Sequence, residues 1–416
     1  MTALTADSRP VRAALVAGPV LAALVVGAGV VRAPVLLTEA VVAGSLLTLL
    51  LLRLDLSLLL FVVVAPFEAY VTGVSGAAVK LTGLLVFAAW ALRLLVVRDR
   101  RPLRHPAVAA CAVFVLLALA ATVAHPNGGT GVGVLVRYVS FAGAFVVVAD
   151  AARDPRLGAR LVRAFTLACA GAAVAGIYGF AVLRYDRARG PLEDPNDLAF
   201  FLVAAVPLAV ALARSTRHRR WYGVVALLLA GIAATLSRGA VVALVVVVLW
   251  ALAAGWLRPR TAALTSLVAV AAIVLLSVLV PALVESALTQ KKAVASSNVS
   301  SRRLRWAAAG DMTLDSPLLG LGPAGFRLNY QRYQGGRDTT FVGGDVAHEM
   351  YLEVSSELGV PALVAFLLVL ALPWRGSPPE YRGAMTGMGV AALFLTEQYF
   401  LPLWLVAGLM VAATAE

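Results

Sequence analysis

Charged side chains are scarce in this chain: Asp, Glu, Lys and Arg together make up 14% of its 416 residues, where a soluble domain carries about a quarter. So few charges cannot cover a water-facing surface, which excludes an ordinary soluble globule. Cysteine is nearly absent. Cys111 and Cys169 each lie inside an apolar run and form no C-x-x-C spacing. That excludes a disulfide framework, a thiolate metal site and a dithiol redox motif, and leaves two inert core thiols. Histidine occurs four times. Low-complexity linkers, repeats of fixed period and soluble domains are missing as well.

What is present is apolar, at 61% of the chain. A bilayer core takes roughly 20 apolar residues per helix. Runs of that kind fall near 12–31, 34–52, 55–72, 77–97, 107–124, 131–149, 160–183, 197–213, 221–236, 239–257, 262–284, 356–374, 383–396 and 400–414. The pattern predicts an all-α, polytopic transmembrane helical bundle of about 12–14 spans, with the shorter runs as half-helices or re-entrant segments.

The net charge of +13 raises nucleic acid as a partner, but the basic residues sit in short segments between apolar runs, as membrane insertion arranges them. No nucleic acid is expected. With the N-terminus inside, the clusters Arg9/Arg12, Arg98–Arg104, Arg153–Arg163, Arg214–Arg220, Arg258/Arg260 and Arg375/Arg382 all fall on the cytoplasmic side. Both termini are then cytoplasmic. The first span is too long for a signal-peptide core and no A-x-A site follows it, so it reads as an uncleaved anchor.

The chain divides into an N-terminal bundle over 1–284, an extracytoplasmic loop over 285–347 with short helices, and helices over 348–416 that complete the same bundle. A loop of that length on a compact membrane protein is a functional segment. Within it SRRLRWAAAGDM reads as a helix capped by Ser300 or Ser301, and DSPLLGLGPAGF as a turn. Two more outward segments break the apolar pattern: RYDRARGPLEDPND over 184–197 and TLSRGA over 235–240. Both carry arginine on the side where the topology expects little positive charge.

GGDVAHEMYLEVSSELGVPALVAF, 343–366, begins with acids and a histidine and is expected to run unbroken into an apolar helix. Asp345, Glu349, Glu353 and Glu357 surround His348, and the last three, spaced by four, share a helix face. Carboxylates at the mouth of a span are costly unless they line water or meet cations. A neutral imidazole beside them suits general-base work near neutral pH. The outward arginines Arg187, Arg189, Arg238, Arg302, Arg303 and Arg305 supply cations, with Arg302 and Arg305 on one side of their helix. Guanidinium forks match phosphate oxygens. The plainer readings are pairing with the nearby carboxylates or with lipid headgroups. Asp194, Asn196 and Asp197 could hold a metal but read better as a cap on the eighth span, with Asn196 or Asp197 as the N-cap; no metal is expected. Arg137 and Glu39 lie inside apolar runs and are functional candidates by default.

HEMYLEVSSELGVPA resembles the signature of the O-antigen ligase and O-antigen polymerase superfamily, on His348, Tyr351, Leu352 and Gly359. RARGPLEDPNDLAFFL resembles the family's Arg and Pro-Asn segment, LSRGA its Ser-Arg-Gly turn, and SRRLRWAAAGDMTLDSPLLGLGPAGF its Arg, Trp and Pro-Leu-Leu-Gly run. The pieces occur in family order between Arg187 and Phe366. Glu349 stands where the family has Asn, Ser or Gln, and Ala362 where the ligases favour Gly, Thr or Tyr.

The resemblance implies a bundle similar to the C-type glycosyltransferases in a bacterial inner membrane, with its active site extracytoplasmic. It implies an inverting, metal-independent transfer of a glycan from a polyprenyl-pyrophosphate carrier to the hydroxyl of a lipid, glycan or protein acceptor, without a cofactor. His348 would be the base, and Arg189, Arg238, Arg302, Arg303 and Arg305 the pyrophosphate ligands. Tyr351, Glu349 and Asp345 would support the site or the acceptor. Ligation, repeat-unit polymerisation and protein O-glycosylation all stay open within the family. Outside it stand a secondary transporter or lipid flippase, with His348 relaying protons, and a structural subunit that leaves the arginines unused.

Overall fold

In the computed structural model the described residues are 34–74, 78–96, 103–260, 301–335 and 346–414, with residues 263, 267, 274 and 278. The expected first span, the rest of the 262–284 run, residues 285–300 and Asp345 lie outside them.

The described residues are helical almost throughout, and no strand occurs among them. In chain order the helices are α1 (Pro34–Leu52), α2 (Leu54–Val64), α3 (Glu68–Val74), α4 (Ala78–Val96), α5 (Pro106–Ala124), α6 (Gly128–Ala151), α7 (Pro155–Ala181), α8 (Pro195–Thr216), α9 (Arg220–Thr235) and α10 (Arg238–Ala253). After them come α11, helical over 301–315, then α12 (Gly325–Gln334), α13 (Met350–Ala371), α14 (Pro379–Ala391) and α15 (Leu401–Thr414). Only helices can satisfy every backbone group of such apolar segments within lipid.

Among the described residues six helices are long and apolar enough to cross a membrane, and Arg220–Thr235, Arg238–Ala253 and Leu401–Thr414 are shorter apolar helices. A 16-residue helix such as α9 rises only about 24 Å, short of a hydrocarbon core of about 30 Å. Leu46, Leu47, Leu84, Leu116, Val123 and Leu249 point outward as an apolar surface suited to lipid.

Three helices start in the same way, with a capping side chain followed by proline. His105, Asp154 and Asp194 accept from the amides of Ala107, Arg156 and Asn196, with Pro106, Pro155 and Pro195 at the first turn. The α8 cap is therefore Asp194, ahead of the expected Asn196 or Asp197. Proline needs no amide partner and its fixed φ suits the first helical position, so the cap falls on the residue before it.

The C-terminal helices pack against early ones: α13 on α5, α15 on α6, and α14 on both α8 and α10. At their junction Phe114, Tyr138, Phe145, Phe366 and Trp404 stack at ring separations of 5.4–6.4 Å. The most enclosed span is α8, with 83% of its apolar window buried.

α13 is not the unbroken helix expected from the sequence. Gly359 sits at φ 83° and ψ 169° in its middle. The 316–322 loop is docked into the break. In a helix Val360 N–H would bond to Ser356 C=O; here Ser356 C=O accepts from Leu321 N–H at 2.8 Å, and Val360 N–H donates to Pro317 C=O at 2.8 Å. The loop thus replaces one helical bond with two of its own, so both backbone groups stay paired inside the bundle. The same loop is held from its other side by Asn127 Nδ2, which donates to the carbonyls of Leu321 and Pro323 at 2.8 and 2.9 Å.

Candidate active site

Successive crossings return the 184–197 loop, the 235–238 turn, α11, the His348 turn and the 392–400 segment to one end of the bundle. Direct hydrogen bonds join them. Ala188 N–H donates to Ala234 C=O at 3.0 Å. Arg187 then reaches inward, donating through Nε to Thr235 C=O at 2.8 Å and through Nη2 to Asn196 Oδ1 at 2.9 Å. Asn196 is fixed in turn by Asp194 Oδ1, which accepts from its amide and side chain at 2.6 and 2.8 Å. From α11, Arg302 donates through Nη1 to Phe394 C=O at 3.0 Å.

These guanidinium groups are anchored by neutral oxygens. Ion pairs within 4.0 Å between described residues include those of Arg53, Arg153 and Arg160, whereas Arg187, Arg302 and Arg305 make none with a described carboxylate. Carbonyl and amide acceptors orient a guanidinium without cancelling its charge. Arg305 keeps a buried Nε that has no acceptor among the described residues. Burial lowers the pKa of Arg187 and of Arg302, Asp194 opposes that effect, and the arginines repel one another, Arg302 acting on Arg187 and Arg305 on Arg302. Guanidinium stays charged under such shifts. The result is a half-buried patch of positive charge whose main counter-charge is the single carboxylate of Asp194.

His348 is half-buried in this patch, in the left-handed region at φ 53°. Its pKa is lowered to about 4, first by burial and then by Arg302 and Arg305, against an upward pull from Asp194. The imidazole is therefore neutral at pH 7 and able to accept a proton, and Arg302 and Arg305 both bear on it.

The other expected residues divide. Arg189, Arg238 and Arg303 are exposed. Arg189 lies over the Tyr185 ring at 4.5 Å, and Arg238 opens α10 directly after the turn that takes Arg187. Glu349 caps α13 by accepting from Leu352 N–H, and burial raises its carboxyl pKa. Tyr351 donates to Gly389 C=O at 2.8 Å and ties α13 to α14. Arg137 lies 5.9 Å from the Tyr399 ring, and Glu39 is exposed on α1.

Glu353 and Glu357 do not meet cations as the sequence had suggested. Both are buried. Glu357 lies beside the backbone of Ala324 and Phe326 at the start of α12 and accepts from Tyr399 Oη at 3.3 Å. A carboxylate is well placed at the positive end of a helix. Glu353 accepts from Ala347 N–H, Thr396 Oγ1 and Gln398 Nε2. Sequence reasoning also passed over Glu397, which is fully buried in the 392–400 segment; burial first and the neighbouring Asp197 charge next raise the pKa of its carboxyl.

Residues 222–367 match the family model for O-antigen ligase. The match runs from α9 past the 235–238 turn, α11 and His348 into α13. It supports the O-antigen ligase superfamily as the kin of this segment, whose ligase- and polymerase-type members are membrane glycosyltransferases. No curated protein matches the chain.

Proposed function

We propose, on the premise that residues 222–367 carry the O-antigen ligase segment, that this protein is an inverting, metal-independent glycosyltransferase. It moves a glycan from a polyprenyl-pyrophosphate carrier to an acceptor hydroxyl on the extracytoplasmic face of a bacterial plasma membrane. The observation that carries the reading is the placement of Arg302 and Arg305 beside a neutral His348, with Arg187 next to Arg302, all three free of carboxylate partners within ion-pair distance among the described residues. Positive charge without a fixed counter-ion favours an anion. A diphosphate at the membrane boundary, attached to an apolar chain, fits this end of the bundle.

In the reaction His348 takes the proton from the acceptor hydroxyl as its oxygen attacks the anomeric carbon from the face opposite the leaving group. The bond to the diphosphate breaks, and its electron pair goes to an oxygen held by the guanidinium groups. Fixed donors aimed at the developing charge lower the barrier without reorganising. Since arginine charge meets the needs of the leaving group, chelators should leave the rate unchanged. Arg189, Arg238 and Arg303, exposed at the same end, contact the remainder of the donor. The opposite end carries the larger basic clusters, including Arg153, Arg156, Arg160, Arg214, Arg217 and Arg219. That charge bias supports a cytoplasmic placement of the opposite end. A transporter is disfavoured because the arginines gather at one end rather than near mid-membrane.

The test is transfer from a lipid-pyrophosphate glycan in proteoliposomes. Arg302→Lys keeps a cation but loses the planar fork held by Phe394 C=O, and should lower the rate roughly 10–100-fold. A wild-type rate would assign Arg302 to lipid anchoring. A strict requirement for a divalent ion would overturn the arginine account.

A further inference from the structure

From the bonding of one buried carboxylate we infer that Glu353 is a positioning residue, which sets the distance between the catalytic imidazole and the diphosphate-binding arginine. The inference rests on the function proposed above, though its geometry does not.

Glu353 lies one turn into α13, buried among Val354, Met350 and Leu358. Its Oε2 accepts from Ala347 N–H at 2.7 Å and from Thr396 Oγ1 at 2.9 Å; its Oε1 accepts from Gln398 Nε2 at 3.2 Å. These donors belong to two separate strips of chain. Ala347 immediately precedes His348, and Thr396 and Gln398 follow Phe394, whose carbonyl anchors Arg302. One carboxylate therefore holds the strip bearing the base against the strip bearing the arginine's anchor. Met350 N–H, bonded to Ala392 C=O at 3.0 Å, joins the same two strips a short step away.

The need for such a clamp follows from the backbone. A non-glycine residue at φ 53°, as His348 is, costs free energy and persists only where its surroundings impose it. Glu349 fixes the helical side of that turn by capping α13. On the other side, among the described residues, the Ala347 amide depends on Glu353. The carboxylate is well suited to this task because all three of its partners are donors. A leucine in its place would leave all three without an acceptor.

The experiment compares Glu353→Leu, which removes the acceptor, with the exchanged pair Glu353→Gln/Gln398→Glu. In the pair, the amide oxygen introduced at position 353 accepts from Ala347 and Thr396 while the amide nitrogen donates to the carboxylate introduced at position 398, so the bonds and net charge are both restored. Glu353→Leu should lower kcat by about 100-fold, the effect of a base misplaced by about 1 Å. Its donor KM should stay within about threefold, because the arginines still bind. Amide exchange over 346–349, followed by mass spectrometry on full-length protein in nanodiscs, should quicken in the single variant and slow again in the exchange, together with recovered kcat.

A single variant with wild-type kcat and unchanged exchange would overturn the clamp. So would an exchanged pair that folds but stays as slow as the single variant. If Glu353→Leu does not fold, the exchanged pair decides alone, and its failure to fold counts against the bonding account. Should wild-type protein transfer no glycan, the proposed function fails, and the exchange rates at 346–349 still decide the clamp.

Discussion

His348→Asn should abolish glycan transfer, lowering kcat roughly 10²–10⁴-fold, the range of a lost general base. Asparagine is the appropriate replacement because it tolerates the left-handed backbone that His348 occupies at φ 53°, whereas alanine adds backbone strain to the loss of the imidazole. Donor affinity, measured separately by equilibrium binding, should change by no more than about threefold, because the guanidinium groups carry it. Full activity in this variant would remove His348 from the mechanism.

The same imidazole predicts an unusual pH profile. In the free protein its pKa is lowered to about 4, by burial first and by Arg302 and Arg305 next. The acidic limb of kcat/KM, which reports the free enzyme, should therefore fall near pH 4. A bound diphosphate neutralises the two arginines and removes their repulsion. The protonated imidazole is then less disfavoured, so its pKa rises, and the acidic limb of kcat should lie at higher pH than that of kcat/KM. The sign has mechanistic weight. A base with a pKa near 4 takes protons poorly, and donor binding strengthens it just when the acceptor hydroxyl must lose one. Coincident limbs at the ordinary histidine value would mean that the arginines do not act on His348.

Much of this arrangement was legible in the sequence because membrane topology fixes which loops share an end. Arginine on the sparsely basic side singled out 184–197, 235–240 and 301–305; the structure bonds the first two through Arg187 and Thr235, and ties the third to the 392–400 segment through Arg302 and Phe394. Which arginine turns inward was not legible. Arg187 and Arg189 are two residues apart in the same polar context, and the choice is made by the backbone bond between Ala188 and Ala234. The spacing of Glu349, Glu353 and Glu357 revealed a common face, yet their partners are amides and side chains brought from Ala347, Gln398 and Tyr399. Pairing at that sequence distance leaves no periodic trace. The α8 cap is readable from Asp-Pro, because the cap falls on the residue before the proline, Asp194, and not on Asn196 or Asp197 after it.

The break in α13 is the case where the sequence showed a signal without its cause. Gly359-Val360-Pro361 invites the reading that proline ends the helix, but Pro361 removes only its own bond to Glu357. The 356–360 bond is taken over by the docked 316–322 loop. Docking also explains both glycines at the contact. A Cβ on Gly359 would overlap the backbone of Leu318 and Leu319, one on Gly320 the backbone of Glu357 and Leu358, and each has φ in the left-handed half, at 83° and 60°. Gly359→Ala should therefore cost roughly 3 kcal/mol or more of stability, a strained backbone compounded by an overlap that neither rigid segment can relieve. Because Asn127 holds the same loop where it leads into α12, its release would free the start of α12 and loosen α11 with Arg302. Transfer activity should fall with stability. Pro361→Ala, which adds an amide and no overlap, should shift stability by less than about 1 kcal/mol. Thermal unfolding followed by tryptophan fluorescence separates the two variants. Since either glycine substitution alone undocks the loop, Gly320→Ala combined with Gly359→Ala should cost well under the sum of the singles. Equal losses for Gly359→Ala and Pro361→Ala would return the break to proline and leave the docked loop as its consequence.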